Sequence, residues 1–175
     1  MGTVVYVGVI GPGMPGALED ETLINGPDRE LLRAANEVGR LLAEAGVIVV
    51  CGGLGGVMAA ASKGARSAGG QCVGILPGPD RSEANEFLSL ALPTGIGEAR
   101  NALVVCASDV LIAIGGGFGT LSEIALALRS DKHVVGLLTW SVAELDPQMH
   151  TVTSAPAAAS LALELAGPEA RDGPR

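Results

Sequence analysis

Val110-Leu-Ile-Ala-Ile114, followed without a gap by Gly115-Gly-Gly-Phe-Gly-Thr-Leu-Ser-Glu123, is the stretch that decides the fold. Five apolar residues in a row predict a strand buried on both faces. A turn with four glycines comes next, and Thr120 with Glu123 predicts the opening of a helix. In a strand, glycine turn and helix unit, the N–H groups of the turn and first helical turn have no intrahelical partner. They point beyond the carboxyl end of the strand, where a phosphate or another anion satisfies them. The unit therefore predicts a phosphorylated small-molecule ligand cradled by Gly116, Gly117, Gly119 and Thr120, with Glu123 at the edge of the site.

Outward from this unit, strands and helices alternate. Strands are expected at Val4–Ile10, Val47–Cys51, Gln71–Leu76, Phe87–Leu92 and Val134–Leu138, besides Val110–Ile114. Helices are expected at Asp28–Ala45, Gly56–Ala68, Gly97–Ala107, the segment after Gly117, and Pro156–Leu165. Asn25-Gly-Pro27 and Gly46 supply start and stop signals for the first helix. Alternation of this kind predicts an α/β chain, a Rossmann-like doubly wound parallel sheet in three α/β/α layers. Residues 1–166 read as a single ligand-binding domain and 167–175 as a frayed C-terminal tail.

Composition narrows the function. A net charge of −8 argues against a nucleic-acid footprint, which needs a basic face. Only four aromatic residues are present, too few for a single-strand stacking platform. No apolar run reaches the length of a membrane span, and the start lacks the basic region of a secretory signal. Cys51, Cys72 and Cys106 lie in or beside apolar runs with no metal spacing, so they read as reduced core thiols of a cytoplasmic protein.

Two further glycine turns carry less information. Gly11-Pro-Gly-Met-Pro-Gly16 matches the dinucleotide fingerprint literally, but two prolines interrupt it and no helix starts there. The second strand also ends in Cys51 rather than in a ribose-binding acid. Gly11 then either touches a ligand or belongs to a structural turn. Gly52-Gly-Leu-Gly-Gly56 runs from a strand straight into a helix, which makes Gly53, Gly55 and Gly56 candidates for a second phosphate cradle. Lys63 cannot serve it as a P-loop lysine. Eight residues beyond Gly55, at ~1.5 Å each, it stands roughly 12 Å up the helix. Lys63 and Arg66 read as a solvated face.

Arg100 and Glu123 are the candidate reactive residues, each with a plainer alternative. An arginine in the first turn of a helix opposes the macrodipole by a few tenths to ~1 kcal/mol, and it is either a surface residue or a bidentate ligand for an anion. Thr120-Leu-Ser-Glu123 has the form of a capping box, so Glu123 either satisfies the helix cap or does chemistry. On a helical wheel Glu123 falls opposite a core stripe of Leu121, Ile124, Ala125 and Leu128.

These residues also carry a resemblance. Arg100-Asn-Ala, Asp109, the Gly116-Gly-x-Gly-Thr120 turn and Glu123 resemble the signature of the LONELY GUY (LOG) proteins, long mislabelled as lysine decarboxylases. Gly52-Gly-Leu-Gly-Gly-Val-Met58 resembles the family's upstream glycine motif, one residue shortened. LOG enzymes hydrolyse the N-glycosidic bond of cytokinin riboside 5′-monophosphates with a catalytic arginine and glutamate. The resemblance implies Arg100 and Glu123 in those roles, with no metal and no organic cofactor. Gly115 stands in place of the family proline, and Asn101 in place of the lysine after the arginine. These departures, with Gly74-Ile-Leu-Pro-Gly78, resemble a sister branch that includes the molybdenum-cofactor carrier proteins, which bind a phosphorylated pterin without necessarily turning anything over. The resemblance and the excess of apolar residues in Leu103–Cys106 and Leu121–Leu128 both predict a homo-oligomer, at least a dimer. A helix apolar on all sides needs a second covering beyond the sheet.

Overall fold

The computed structural model describes residues 4–14, 26–141 and 147–167. The expected tail beyond Gly167 and most of the loop between Met14 and Gly26 lie outside them. Seven strands form one parallel sheet: β1 (Tyr6–Ile10), β2 (Ile48–Cys51), β3 (Cys72–Leu76), β4 (Leu90–Pro93), β5 (Val110–Ile114), β6 (Val134–Leu137) and β7 (Met149–Val152). Their order across the sheet is β4-β3-β2-β1-β5-β6-β7. β5 pairs with β1 on one side and β6 on the other, and every one of its residues is buried. Among the described residues, no helix is long and apolar enough to cross a membrane.

The helices cover both faces, as a doubly wound sheet requires. Helices α1 (Gly26–Glu44), α2 (Gly56–Ser67) and α5 (Ala155–Leu165) share one core with Val7, Val9, Val49, Ile112 and Ile114. On the other face, α3 (Asn101–Ala107) and α4 (Phe118–Arg129) pack over Ile10, Val50, Leu111 and Ala113. The side chains of the inner strands alternate between these two cores, so those strands are apolar throughout. The order of the sheet reverses at β1 and β5. Chains leave the carboxyl ends of these two neighbours in opposite directions and open a crevice there.

Four expectations are corrected. The fourth strand begins at Leu90 rather than Phe87. Residues 85–87 form instead a side-chain-stabilised turn, in which Asn85 Oδ1 accepts from the Phe87 amide at 3.1 Å. β7 was absent from the sequence reading: Met149-His-Thr-Val152 is a short, half-polar edge strand with no apolar run to mark it. The segment from Gly97 opens as a 3-10 turn, Gly97–Arg100, before α3 begins. Cys106 is exposed, whereas Cys51 and Cys72 are buried in the core.

Candidate functional site

α4 starts at Phe118, directly after Gly117 as expected, and so ahead of the Thr120 cap that the capping-box alternative requires. Gly117 is the N-cap and offers no side-chain cap. Thr120 therefore sits inside the first turn and Glu123 a full turn further on, so the capping box does not form. The first backbone bond of this turn runs from the Leu121 amide to the Gly117 carbonyl at 2.9 Å. The amides of Phe118, Gly119 and Thr120 ahead of it have no intrahelical acceptor.

The face that α4 turns inward is Thr120, Glu123, Ile124 and Ala127, a regular helical stripe. Two of its four members are polar, which is why hydropathy placed the stripe on Leu121, Ala125 and Leu128. Ala125 is exposed, and Leu121 and Leu128 are half-buried. Glu123 is thus driven inward by the packing of its own helix and retains 6% of its accessible surface.

Arg100 closes the 3-10 turn and is 3% exposed. Its Nη1 lies 4.0 Å from Glu123 Oε1, an ion-pair distance without a hydrogen bond. Its Nε has no hydrogen-bond partner among the described residues. Burial pushes the Glu123 carboxyl up to about 8; the Arg100 charge opposes the shift, and the Glu98 charge adds to it. At neutral pH the site therefore holds a cation beside a largely neutral acid. An incompletely paired, buried guanidinium calls for an anion.

Arg100 and Glu123 open into a cavity of about 260 Å³ at the carboxyl ends of β1, β2 and β5. Gly117, Gly119 and Thr120 form one wall, Gly11 with Pro12 and Gly13 another, and Gly52, Leu54 and Met58 a third. Glu98 and Asn101 complete it, with Asn101 Nδ2 3.5 Å from Glu98 Oε2. Of the residues singled out in the sequence, Gly11, Arg100, Gly117, Gly119, Thr120 and Glu123 meet here.

The others do not line the cavity. Gly116 backs onto the indole of Trp140. Gly53 packs on Leu76 and Gly74, while Gly55 and Gly56 lie beneath the Pro12–Met14 segment. The N-terminus of α2 is partly satisfied from within, because the Val57 amide donates to the Pro12 carbonyl at 3.1 Å.

Several supporting residues escaped the sequence reading. Asn85 Nδ2 donates to the carbonyls of Gly53 and Leu54, at 3.2 and 3.0 Å, and fixes the second glycine turn from outside. The Gly53 amide donates to Cys51 Sγ at 3.4 Å, and Cys51 lies 3.9 Å from Cys72 Sγ. Asp109, by contrast, stood in the quoted signature: its Oδ2 accepts from the Tyr6 amide at 2.8 Å and ties the start of β1 to the turn before β5. Nothing in residue type alone points to the Asn85 clamp. Glu98 and Asn101 were visible as neighbours of Arg100.

Comparison with known proteins agrees with this fold. The sequence matches the SLOG cluster4 family over residues 4–164. It is 49% identical over 110 residues, 63% of this chain and 72% of the other, to an uncharacterized protein of Archaeoglobus fulgidus. A probable cytokinin riboside 5′-monophosphate phosphoribohydrolase of Oryza sativa subsp. japonica is 34% identical over 113 residues, 60% of this chain but 46% of that protein. The molybdenum cofactor binding protein of the phototrophic bacterium Rippkaea orientalis superposes with a TM-score of 0.82 at 34% identity, covering 94% of this chain and 99% of that one. The molybdenum cofactor carrier protein of Chlamydomonas reinhardtii does so with a TM-score of 0.79 at 35% identity, covering 94% and 100%.

Proposed function

The chain belongs to the SLOG cluster4 family, a LOG-like family, and from that premise we propose that it binds a phosphorylated heterocycle and hydrolyses the N-glycosidic bond of a nucleoside 5′-monophosphate. The observation that carries the proposal is the buried Arg100–Glu123 pair facing the uncapped N-terminus of α4 across one cavity. The phosphate takes the free amides of Phe118 to Thr120, where the helix dipole favours negative charge. Arg100 supplies a charge-assisted donor to the same ligand.

Glu123 enters this chemistry as an acid. Held neutral at pH 7, it donates its proton to the ring nitrogen of the leaving base as the C1′–N bond breaks. The ribosyl cation that develops gains the newly formed carboxylate beside it. Water adds to C1′ and its proton returns to Glu123, leaving free base and ribose 5-phosphate. The negative charge on this carboxyl thus arises only when the reaction needs it.

A second reading has its own support. The two molybdenum cofactor proteins match this chain over nearly its whole length, whereas the phosphoribohydrolase matches 60% of it. A carrier would use the same amides and Arg100 for the phosphate of a pterin and leave Glu123 idle. Base release from AMP, GMP and CMP, followed by chromatography, separates the two. Free base formed by the wild type and not by Glu123→Gln supports hydrolysis. Tight retention of a phosphorylated pterin, with no base released from any monophosphate, supports the carrier.

The apolar outer face of α3 and α4 is the place for a second copy of the chain. Leu103 and Cys106 on α3, with Phe118 and Ala125 on α4, are exposed, and Phe118 retains 87% of its surface. Within the Leu121–Leu128 stretch offered for this role, Ala127 is instead buried in the second core and Leu126 is half-buried against it. An obligate homodimer interface buries about 2,000 Å² or more, an area that two such helix pairs facing each other could supply.

A further inference from the structure

We propose that Gly52 is the positioning residue for Arg100, its missing side chain being the slot in which the guanidinium is held against Glu123. The inference rests on the reading of Arg100 as a ligand-binding group. A Cβ built on Gly52 would collide with Nη1 of Arg100 and stand 2.7 Å from both Cζ and Nη2. A Cβ makes no hydrogen bond and essentially never stands that close to another heavy atom, so an alanine at 52 and the observed guanidinium cannot coexist.

The backbone gives no competing reason for the glycine. Gly53 and Gly56 in the same turn have φ values of +77° and +62°, a region that favours glycine. Gly52 is not among the positive-φ residues. The three nearest atoms to its added Cβ all belong to the Arg100 guanidinium. Residue 52 is therefore glycine for the sake of Arg100, and not for the sake of the turn.

The consequence for the site is specific. Arg100 is anchored weakly by its own partners: the pair with Glu123 is 4.0 Å long, and Nε is unpartnered among the described residues. What keeps so long a side chain in one place is the fit of its planar end over a bare Cα. Filling that slot leaves the strand, the turn and α2 intact, because the group displaced is the far end of a flexible side chain. The guanidinium moves off, and both its services go with it: the donor to the ligand, and the positive charge beside Glu123.

Two measurements on Gly52→Ala, Arg100→Ala and the double variant test this. In the ligand-free protein, Glu123 is followed by carboxyl-carbon NMR during a pH titration. Arg100 lowers the Glu123 pKa, so its displacement raises the titration midpoint, and Gly52→Ala should raise it in the same direction as Arg100→Ala. Affinity for AMP is then measured by calorimetry. Gly52→Ala should weaken it about tenfold or more, as expected for a lost charge-assisted hydrogen bond. In the Arg100→Ala background, Gly52→Ala should cost nothing further in affinity or in thermal midpoint. An unchanged Glu123 titration in Gly52→Ala overturns the proposal, as does an equal loss from Gly52→Ala with and without Arg100. If wild type fails to bind AMP, the ligand reading fails, and the titration of the free protein still decides the role of Gly52.

Discussion

Replacing Glu123 by glutamine should make the folded protein more stable, and more so as the pH rises. In the unfolded chain the carboxyl ionises near its ordinary value of 4.5; in the fold it does so at about 8. Between those values the native state holds a proton that the unfolded state has given up, so stability falls as pH increases. At pH 7 the interval is 7 − 4.5 = 2.5 pH units. At 1.36 kcal/mol per unit, that is about 3 kcal/mol of stability forgone by the wild type. Glutamine has the shape of the protonated acid and does not titrate. Glu123→Gln should therefore match the wild type near pH 4 and exceed it by about 3 kcal/mol at pH 7, or roughly 6–12 °C in thermal midpoint for a chain of this size. Urea unfolding followed by circular dichroism at several pH values between 4.5 and 8 measures this directly. Two stability profiles that run parallel across the range would refute it, since the difference would then owe nothing to ionisation of Glu123.

Three other outcomes follow from the structure. Restoring the family proline by Gly115→Pro should destabilise the fold by at least about 1–2 kcal/mol in chemical denaturation, because φ there is +72° and the amide donates to Leu137 O. Wild type in light scattering should weigh at least twice 17.5 kDa, and Phe118→Glu or Leu103→Glu should move it toward the single-chain mass without lowering its helix content. His133 Nδ1 and His150 Nε2 lie 3.1 Å apart, and burial together with the His133 charge holds His150 below its ordinary 6.5. The unfolded chain accepts that proton first, so this contribution is complete above about pH 6.5 and declines as pH falls. Hydrogen exchange should show the β7 amides opening ahead of those of β5 below that pH, and uniform protection at pH 5.5 would count against it.

The sheet was legible because its strands are buried on both faces. Val110–Ile114 and Val134–Leu137 announce themselves as apolar runs, and the glycine turn after Ile114 marks the end of the sheet where the candidate site lies. β7 was not legible: an edge strand is half solvated, and Met149-His-Thr-Val152 carries no apolar run. The site was half legible. Arg100 and Glu123 stood out by type and spacing, yet the burial that sets their chemistry depends on how α4 is rotated. That rotation buries Thr120 and Glu123 in place of Leu121 and Ala125, against hydropathy. Gly52 lay within a motif already quoted, but its role depends on the Arg100 side chain, which arrives from 48 residues away in sequence.

The contact between the Pro12 carbonyl and the Val57 amide bears on which ligands the molecule can refuse. A doubly wound sheet presents two helix dipoles near its crevice, and a diphosphate bridge can exploit both. Here one of the two positive poles is already met by a carbonyl of the chain itself, with Pro12 and Met14 seated directly on Gly56. Any second phosphate would have to displace a built-in acceptor and the loop that carries it. The other pole, at Gly117, is left for the visitor. On the proposed reading, in which a phosphate binds at Gly117, selectivity for ligands with a single phosphoryl group would come from internal occupation of the rival seat, with no residue assigned to repel the larger molecule.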